Sequence, residues 1–151
     1  MTVDIQPLSL EQKWLTAEAN LVYFIVCGIT FAKQAGQTAA DFGRWAGEVA
    51  APTWEGERRK GPKGLVEGIA ANKQQFHGFQ MVILDDAPDC IRGKMKSYGE
   101  GLVQQRPNHE ISAEEYIEFF GEKWEAIAHY LDLEYRQVVE GDWLVFTVSR
   151  K

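Results

Sequence analysis

The spacing of apolar positions changes several times along the chain, and each change marks an element. From Leu10 to Gln34, steps of four and three pick out Leu10, Trp14, Ala17, Leu21, Phe24, Gly28 and Phe31, which predicts a helix with one apolar stripe. Beyond Leu21 the other faces turn apolar too, through Val22, Tyr23, Ile25, Val26, Cys27 and Ile29. Such a helix needs cover on all sides. The run from Leu21 to Ala32 is about a dozen residues, against the roughly 20 of a bilayer span, so protein cover is expected. Ser9 with Gln12 three residues later forms a capping-box pattern, and Ala35-Gly36 ends the helix.

A second helix follows at once, capped by Thr38 with Asp41 in its first turn. Phe42, Trp45, Ala46, Val49 and Ala50 share its apolar face, and Pro52 stops it. Residues 55–64 read as a loop. Pro62 then opens a third helix with Leu65, Ile69, Ala70 and Phe76 on its apolar face. Gly68 within that helix costs roughly 1 kcal/mol relative to Ala.

Phe79 to Leu84 is a strand, apolar on both faces except at Gln80, and so expected to be central and covered. Cys90 to Tyr98 fits two periods. As a strand it puts Arg92, Lys94 and Lys96 on one side and Ile91 and Met95 on the other; as a helix it aligns Ile91, Met95, Tyr98 and Leu102. Gly93 and Gly99 favour the strand. Residues 99–111 read as a loop. Ser112 to Leu131 is a helix with a Ser112/Glu115 capping box and a stripe of Tyr116, Phe120, Trp124, Ile127 and Leu131, widened by Ile117 and Ala128. Leu133 to Val139 and Trp143 to Arg150 form a hairpin around Glu140-Gly141-Asp142. In its last strand Leu144, Phe146 and Val148 face one way, and Trp143, Val145 and Thr147 the other.

The expected architecture is α+β: N-terminal helices packed on an antiparallel sheet of three to four strands, with a long helix before the C-terminal hairpin. The sheet face bearing Trp143 and Val145 is left for a subunit or a ligand. Apolar residues make up 45% of the 151 and charged residues 25%, which suits a single domain over 1–151. A net charge of −6 provides no general cationic face for phosphate, so nucleic acid is not an expected partner, and neither is a membrane. The start lacks the basic-then-apolar pattern of a secretory signal. Cys27 and Cys90 have no disulfide or metal spacing, so a cytoplasmic setting without metal or cofactor is expected.

The last forty or so residues run helix, strand, then Val139-Glu140-Gly141-Asp142-Trp143-Leu144-Val145-Phe146-Thr147-Val148, with Asp85-Asp86-Ala87-Pro88 upstream. This arrangement resembles the C-terminal unit of the 4-vinyl-reductase-like domains. It is similar also to the family of L-2-amino-thiazoline-4-carboxylate hydrolases. The shared positions are Gly141, Asp142 and Phe146. Leu144 stands where those families usually carry a cysteine, so no thiol or metal role transfers to it. The resemblance implies sensing of, or chemistry on, a small organic molecule.

Three groups of residues offer chemistry. Cys90, with Arg92 two residues on, is a candidate nucleophile; its base would come from His77, His109 or His129 through folding. Neighbouring Asp85, Asp86 and Asp89 oppose thiolate formation, while Asp85 and Asp86 could pair for acid–base work or simply shape the turn. Cys27 reads as core, His77 as a helix cap and His129 as solvated. Arg58, Arg59, Lys60 and Lys63 could grip a carboxylate or phosphate, or form a solvated loop. Tyr23, Phe24, Trp45, Trp54, Phe76 and Trp124 lie on faces expected to converge into core or into a pocket for a planar molecule. The leading expectation is a homodimeric domain binding a planar or aromatic organic ligand in an aromatic pocket between helices and sheet. The alternative is a small cofactor-independent hydrolase or lyase using Cys90, His77 or Asp86, and a third reading is a partner-binding domain without ligand.

Overall fold

The computed structural model describes residues 7–104 and 111–151. Its helices are α1 (Leu10–Gln34), α2 (Ala39–Ala50), α3 (Pro62–Lys73), α4 (Glu100–Gln104) and α5 (Ala113–Tyr130). Its strands are β1 (Gln80–Ala87), β2 (Cys90–Lys96), β3 (Leu133–Glu140) and β4 (Trp143–Arg150), in one antiparallel sheet ordered β1-β2-β4-β3. The fold is therefore the expected α+β arrangement, with α5 leading into the C-terminal hairpin. Both expected capping boxes form, and the Thr38 cap is a capping box too: Ser9 accepts from the N–H of Gln12, Thr38 from that of Asp41 and Ser112 from that of Glu115, each at 3.1 Å.

Cys90–Lys96 is a strand, and the alternation decides why. Ile91 and Met95 enter the core, while Arg92, Lys94 and Lys96 lie on the outer face, where the last two amines sit 4.4 and 4.7 Å from the Trp143 ring. β1 differs from expectation. It is an edge strand, not a central one, and Val82, Ile83 and Leu84 are exposed beside a bulge. Two stretches read as loop are partly helical. A 3₁₀ segment spans Ala51–Lys60 and carries the chain on from α2 past Pro52, and α4 lies within 99–111.

The largest departure concerns which faces of α1 and α2 are buried. Along α1 the buried positions are Glu18, Val22, Val26, Ile29 and Ala32; Leu10, Trp14, Phe24, Phe31 and Cys27 are exposed. Along α2 the buried positions are Ala39, Gly43 and Gly47, while Trp45 and Val49 face out. Steric contact is the cause. A Cβ at Gly43 would overlap the backbone of Phe119, and one at Gly47 would overlap the backbone of Lys123 and the side chain of Ala126. α2 and α5 thus meet backbone to backbone, which only the small-residue stripe of α2 allows. Gly28 of α1 likewise receives the Phe42 ring. The expectation that the protein's own fold shields α1 on all sides is not met within one chain.

Polar contacts fix α1 to the body along its length. The Trp14 indole donates to the carbonyl of Gln75, Glu18 accepts from the His77 N–H at 3.1 Å, and Lys33 pairs with Glu115 at 2.7 Å. By length and composition α1 is also the one helix among the described residues that could cross a bilayer, with a mean hydropathy of 1.6 over its most apolar 18 residues.

The α2–α5 contact generates a test. Gly43→Ala is expected to destabilise the protein by about 1–3 kcal/mol in urea unfolding, because the helices must separate. Gly56→Ala, where nothing lies within 4 Å, is expected to be neutral or slightly stabilising.

Candidate functional site

Cys90, His77 and Asp86 do not form one catalytic centre. Cys90 pairs with Ala87 and Asp86 with Ile91 at the turn end of the β1–β2 hairpin. His77 precedes β1 at the opposite end, where Gln80 pairs with Lys96. An eight-residue strand separates them by roughly 20 Å. His77 is engaged elsewhere: its Nδ1 lies 2.8 Å from Glu18 Oε2, and its ring packs 3.9 Å from that of Trp14. It joins α1 to the α3–β1 turn and is not a simple helix cap. His109 lies outside the described residues. His129 is exposed on α5.

Arg58 is also committed. Its guanidinium donates to Glu55 at 2.9 Å, to the Tyr130 carbonyl at 2.7 Å and to Asp132, and it stacks 5.1 Å over the Tyr130 ring. It fastens the 3₁₀ segment to the α5–β3 turn, where Asp132 adopts a left-handed backbone (φ 62°). Asp85 and Asp86 are exposed and lie in the last part of β1, opposite Arg92 and Ile91, and not in the turn, which is Pro88-Asp89.

The six aromatic candidates divide into two groups. Tyr23, Phe24 and Trp45 lie on the outer surface of α1 and α2. Phe76, Trp124 and Trp54 turn inward. Trp54 meets Trp124 edge-on at 5.6 Å and lies over Gly68, where a Cβ would overlap its ring. The glycine that weakens α3 on propensity is thus the seat of an indole.

Two of the inward group, Phe76 and Trp124, line a cleft of about 140 Å³ between α1, α3 and α5. Phe76, Phe119, Phe120 and Trp124 form its walls, with Leu21 and Ile25 of α1 on one side. Lys73, the last residue of α3, lines it and is only 1% exposed. Its amine lies 3.0 Å from the centre of the Phe120 ring, 5.3 Å from that of Phe76 and 5.7 Å from that of Tyr98. Among the described residues, no hydrogen-bond acceptor reaches Lys73 Nζ, and Trp124 Nε1, also buried, lacks one as well. A buried donor without an acceptor costs on the order of 1–3 kcal/mol, more if charged.

Burial holds the Lys73 amine well below the usual lysine range, and the nearby Lys123 charge lowers it further; Glu100 opposes both. The Glu100 carboxylate accepts from the N–H groups of Ser97 and Tyr98, at 3.0 and 2.7 Å. Lys123 lines the same cleft, 5.0 Å from the Trp124 ring, and burial lowers its amine too. Lys73 belongs to no sequence motif. The signal was its position: Leu65, Ile69 and Lys73 are successive i, i+4 steps on one face, so the lysine continues an apolar stripe.

A larger trough of about 660 Å³ runs between α5 and β3, past Glu118, Glu122, Glu125 and Glu134. It is open and acidic, and among the described residues no cluster has the makings of a metal site. No family model, curated protein or solved structure matches this chain.

Proposed function

We propose that the protein binds a small single-ring aromatic compound carrying an oxygen acceptor, in the cleft walled by Phe76, Phe120 and Trp124. The observation that carries this reading is a pair of buried donors, Lys73 Nζ and Trp124 Nε1, on two residues that line one aromatic cleft, with no acceptor for either among the described residues. A ligand carboxylate or carbonyl supplies what both lack, and the rings cover its flat faces. Size sets the ligand class. A cavity near 150 Å³ accepts benzene, whereas drug-sized ligands occupy roughly 300 Å³ or more. The resemblance of the C-terminal unit to small-molecule domains is compatible with this reading. It rests on Gly141, Asp142 and Phe146, none of which lines the cleft. For the alternative of a hydrolase or lyase built on Cys90, the candidate base His77 lies at the opposite end of the β1–β2 hairpin.

Benzoate and ring-substituted benzoates test the reading by thermal melting. At 100 times Kd a ligand adds about 2.7 kcal/mol, which for a domain of this size is a rise of roughly 5–10 °C. The rise is expected to vanish in Lys73→Met and to survive alkylation of Cys90 by iodoacetamide. No shift with any single-ring acid or aldehyde would contradict the proposal.

A second reading concerns the outer face of α1. We infer that a second copy of the chain covers it. Phe24 and Phe31 are 71% and 73% exposed, and no Asp, Glu, Lys, Arg or His occurs from Ala19 through Ala32. Contiguous exposed apolar surface of this kind marks an interaction site, and an uncharged one offers nothing to a charged partner. Antiparallel pairing of α1 with its copy would centre on the exposed Cys27, between the two phenylalanines. Light scattering is expected to give twice the chain mass, mild oxidation to cross-link Cys27 to Cys27, and Phe24→Asp with Phe31→Asp to yield monomers. A wild-type monomer that moves onto phospholipid vesicles would replace the second copy with a bilayer.

A further inference from the structure

The same cleft has the makings of a reactive site as well as a binding one. An amine needs a free electron pair to act as a nucleophile, and exposed lysines at neutral pH are almost wholly protonated. Lys73 sits in a different setting. It is enclosed by Phe76, Tyr98 and Phe120; among the described residues no carboxylate pairs with it, and the one other cationic side chain lining the cleft, Lys123, disfavours a second positive charge. Desolvation in an apolar pocket and a cationic neighbour are the two devices that activate lysine for Schiff-base chemistry. The Glu100 carboxylate, which would favour the charged form, is taken up by two backbone N–H groups.

We propose that Lys73 forms a Schiff base with a single-ring aromatic aldehyde held in this cleft. The proposal rests on the binding reading above and adds a covalent step to it. The Nζ electron pair attacks the carbonyl carbon, a C–N bond forms, and the carbonyl π pair moves to oxygen. The resulting carbinolamine has one proton moved from nitrogen to oxygen. Loss of its hydroxyl with a further proton releases one water and leaves the C=N bond. Nitrogen thus gives up both of its protons to the departing water, and no oxidant or reductant takes part. The Lys123 ammonium is the cleft group able to lend a proton to the leaving hydroxyl and to recover it from nitrogen. Lys73 is itself 1% exposed, which keeps bulk water from the imine nitrogen.

Benzaldehyde with cyanoborohydride at pH 7 tests this on the full wild-type chain, because the hydride fixes any imine as a benzylamine. Peptide mass mapping is expected to place the benzyl group on Lys73 at a rate on the order of tenfold or more above any exposed lysine, since each unit of lowered pKa frees about tenfold more amine. Benzoate, which cannot condense, is expected to slow labelling of Lys73 and leave exposed lysines unaffected. Lys73→Arg is expected to lose the site-specific label while the other lysines react as before. Two results overturn the proposal, and they are distinguishable. If benzoate and benzaldehyde raise the melting temperature but Lys73 is labelled no faster than exposed lysines, the imine is wrong and the binding reading stands. If neither compound shifts melting and Lys73 is unlabelled, both fail.

Discussion

The contact on which the rest of the structure depends is the backbone crossing of α2 with α5 at Gly43 and Gly47. With glycine on α2 at both points of the crossing, α5 lies close against it, and Phe119, Phe120, Lys123 and Trp124 project from α5 toward the cleft. Those four residues form one wall of the cleft. α3 forms the other, and its placement follows from Trp54 lying on Gly68 and meeting Trp124 edge-on. The cleft is thus a consequence of two helix contacts that glycine permits.

Within that frame Lys73 is the residue the fold tolerates at a cost. Its stem continues the apolar stripe of α3, and its amine ends among aromatic rings with no acceptor among the described residues. Ring faces offset part of the loss, since an N–H over a π-system is weakly attracted to it. A core built only for stability would place a methionine or leucine at such a site, because an unpaired buried charge is among the costliest features a fold can hold. Groups of this kind concentrate at functional sites, and here the same cleft also holds the unpartnered Trp124 indole.

The sequence displayed the elements more clearly than their inner and outer faces. Capping boxes at Ser9 and Ser112 and an N-cap at Thr38 marked the starts of three helices, and Gly141-Asp142 marked the hairpin, because these are local chemistry. On α1 and α2 a hydrophobic stripe pointed to the wrong side. Helix burial there is decided by how closely backbones approach, so Ala39, Gly43 and Gly47 go in and Trp45 and Val49 stay out. Position 79–84 read as a covered strand because apolarity does not distinguish a central strand from an edge strand awaiting cover. The candidate catalytic residues were chosen for their intrinsic chemistry, yet folding sends His77 to Glu18 and leaves Cys90 at the far turn. Lys73 carries no motif; only its place on the Leu65–Ile69 face betrays it.

The most direct test of the account is the pH dependence of stability in the wild type compared with Lys73→Met. Unfolded, Lys73 keeps its proton up to the ordinary value of 10.5; folded, it releases it well below that. Over the interval between, the unfolded state holds the extra proton, so the contribution of Lys73 to stability rises with pH. Subtracting the variant removes what Lys123 and the buried tyrosines contribute to both proteins. The account predicts that Lys73→Met is the more stable at pH 7 and that its advantage shrinks steadily as pH approaches 10. Parallel curves, or a variant destabilised by the same amount at every pH, would show that Lys73 is charged and satisfied in the folded protein, and would contradict it.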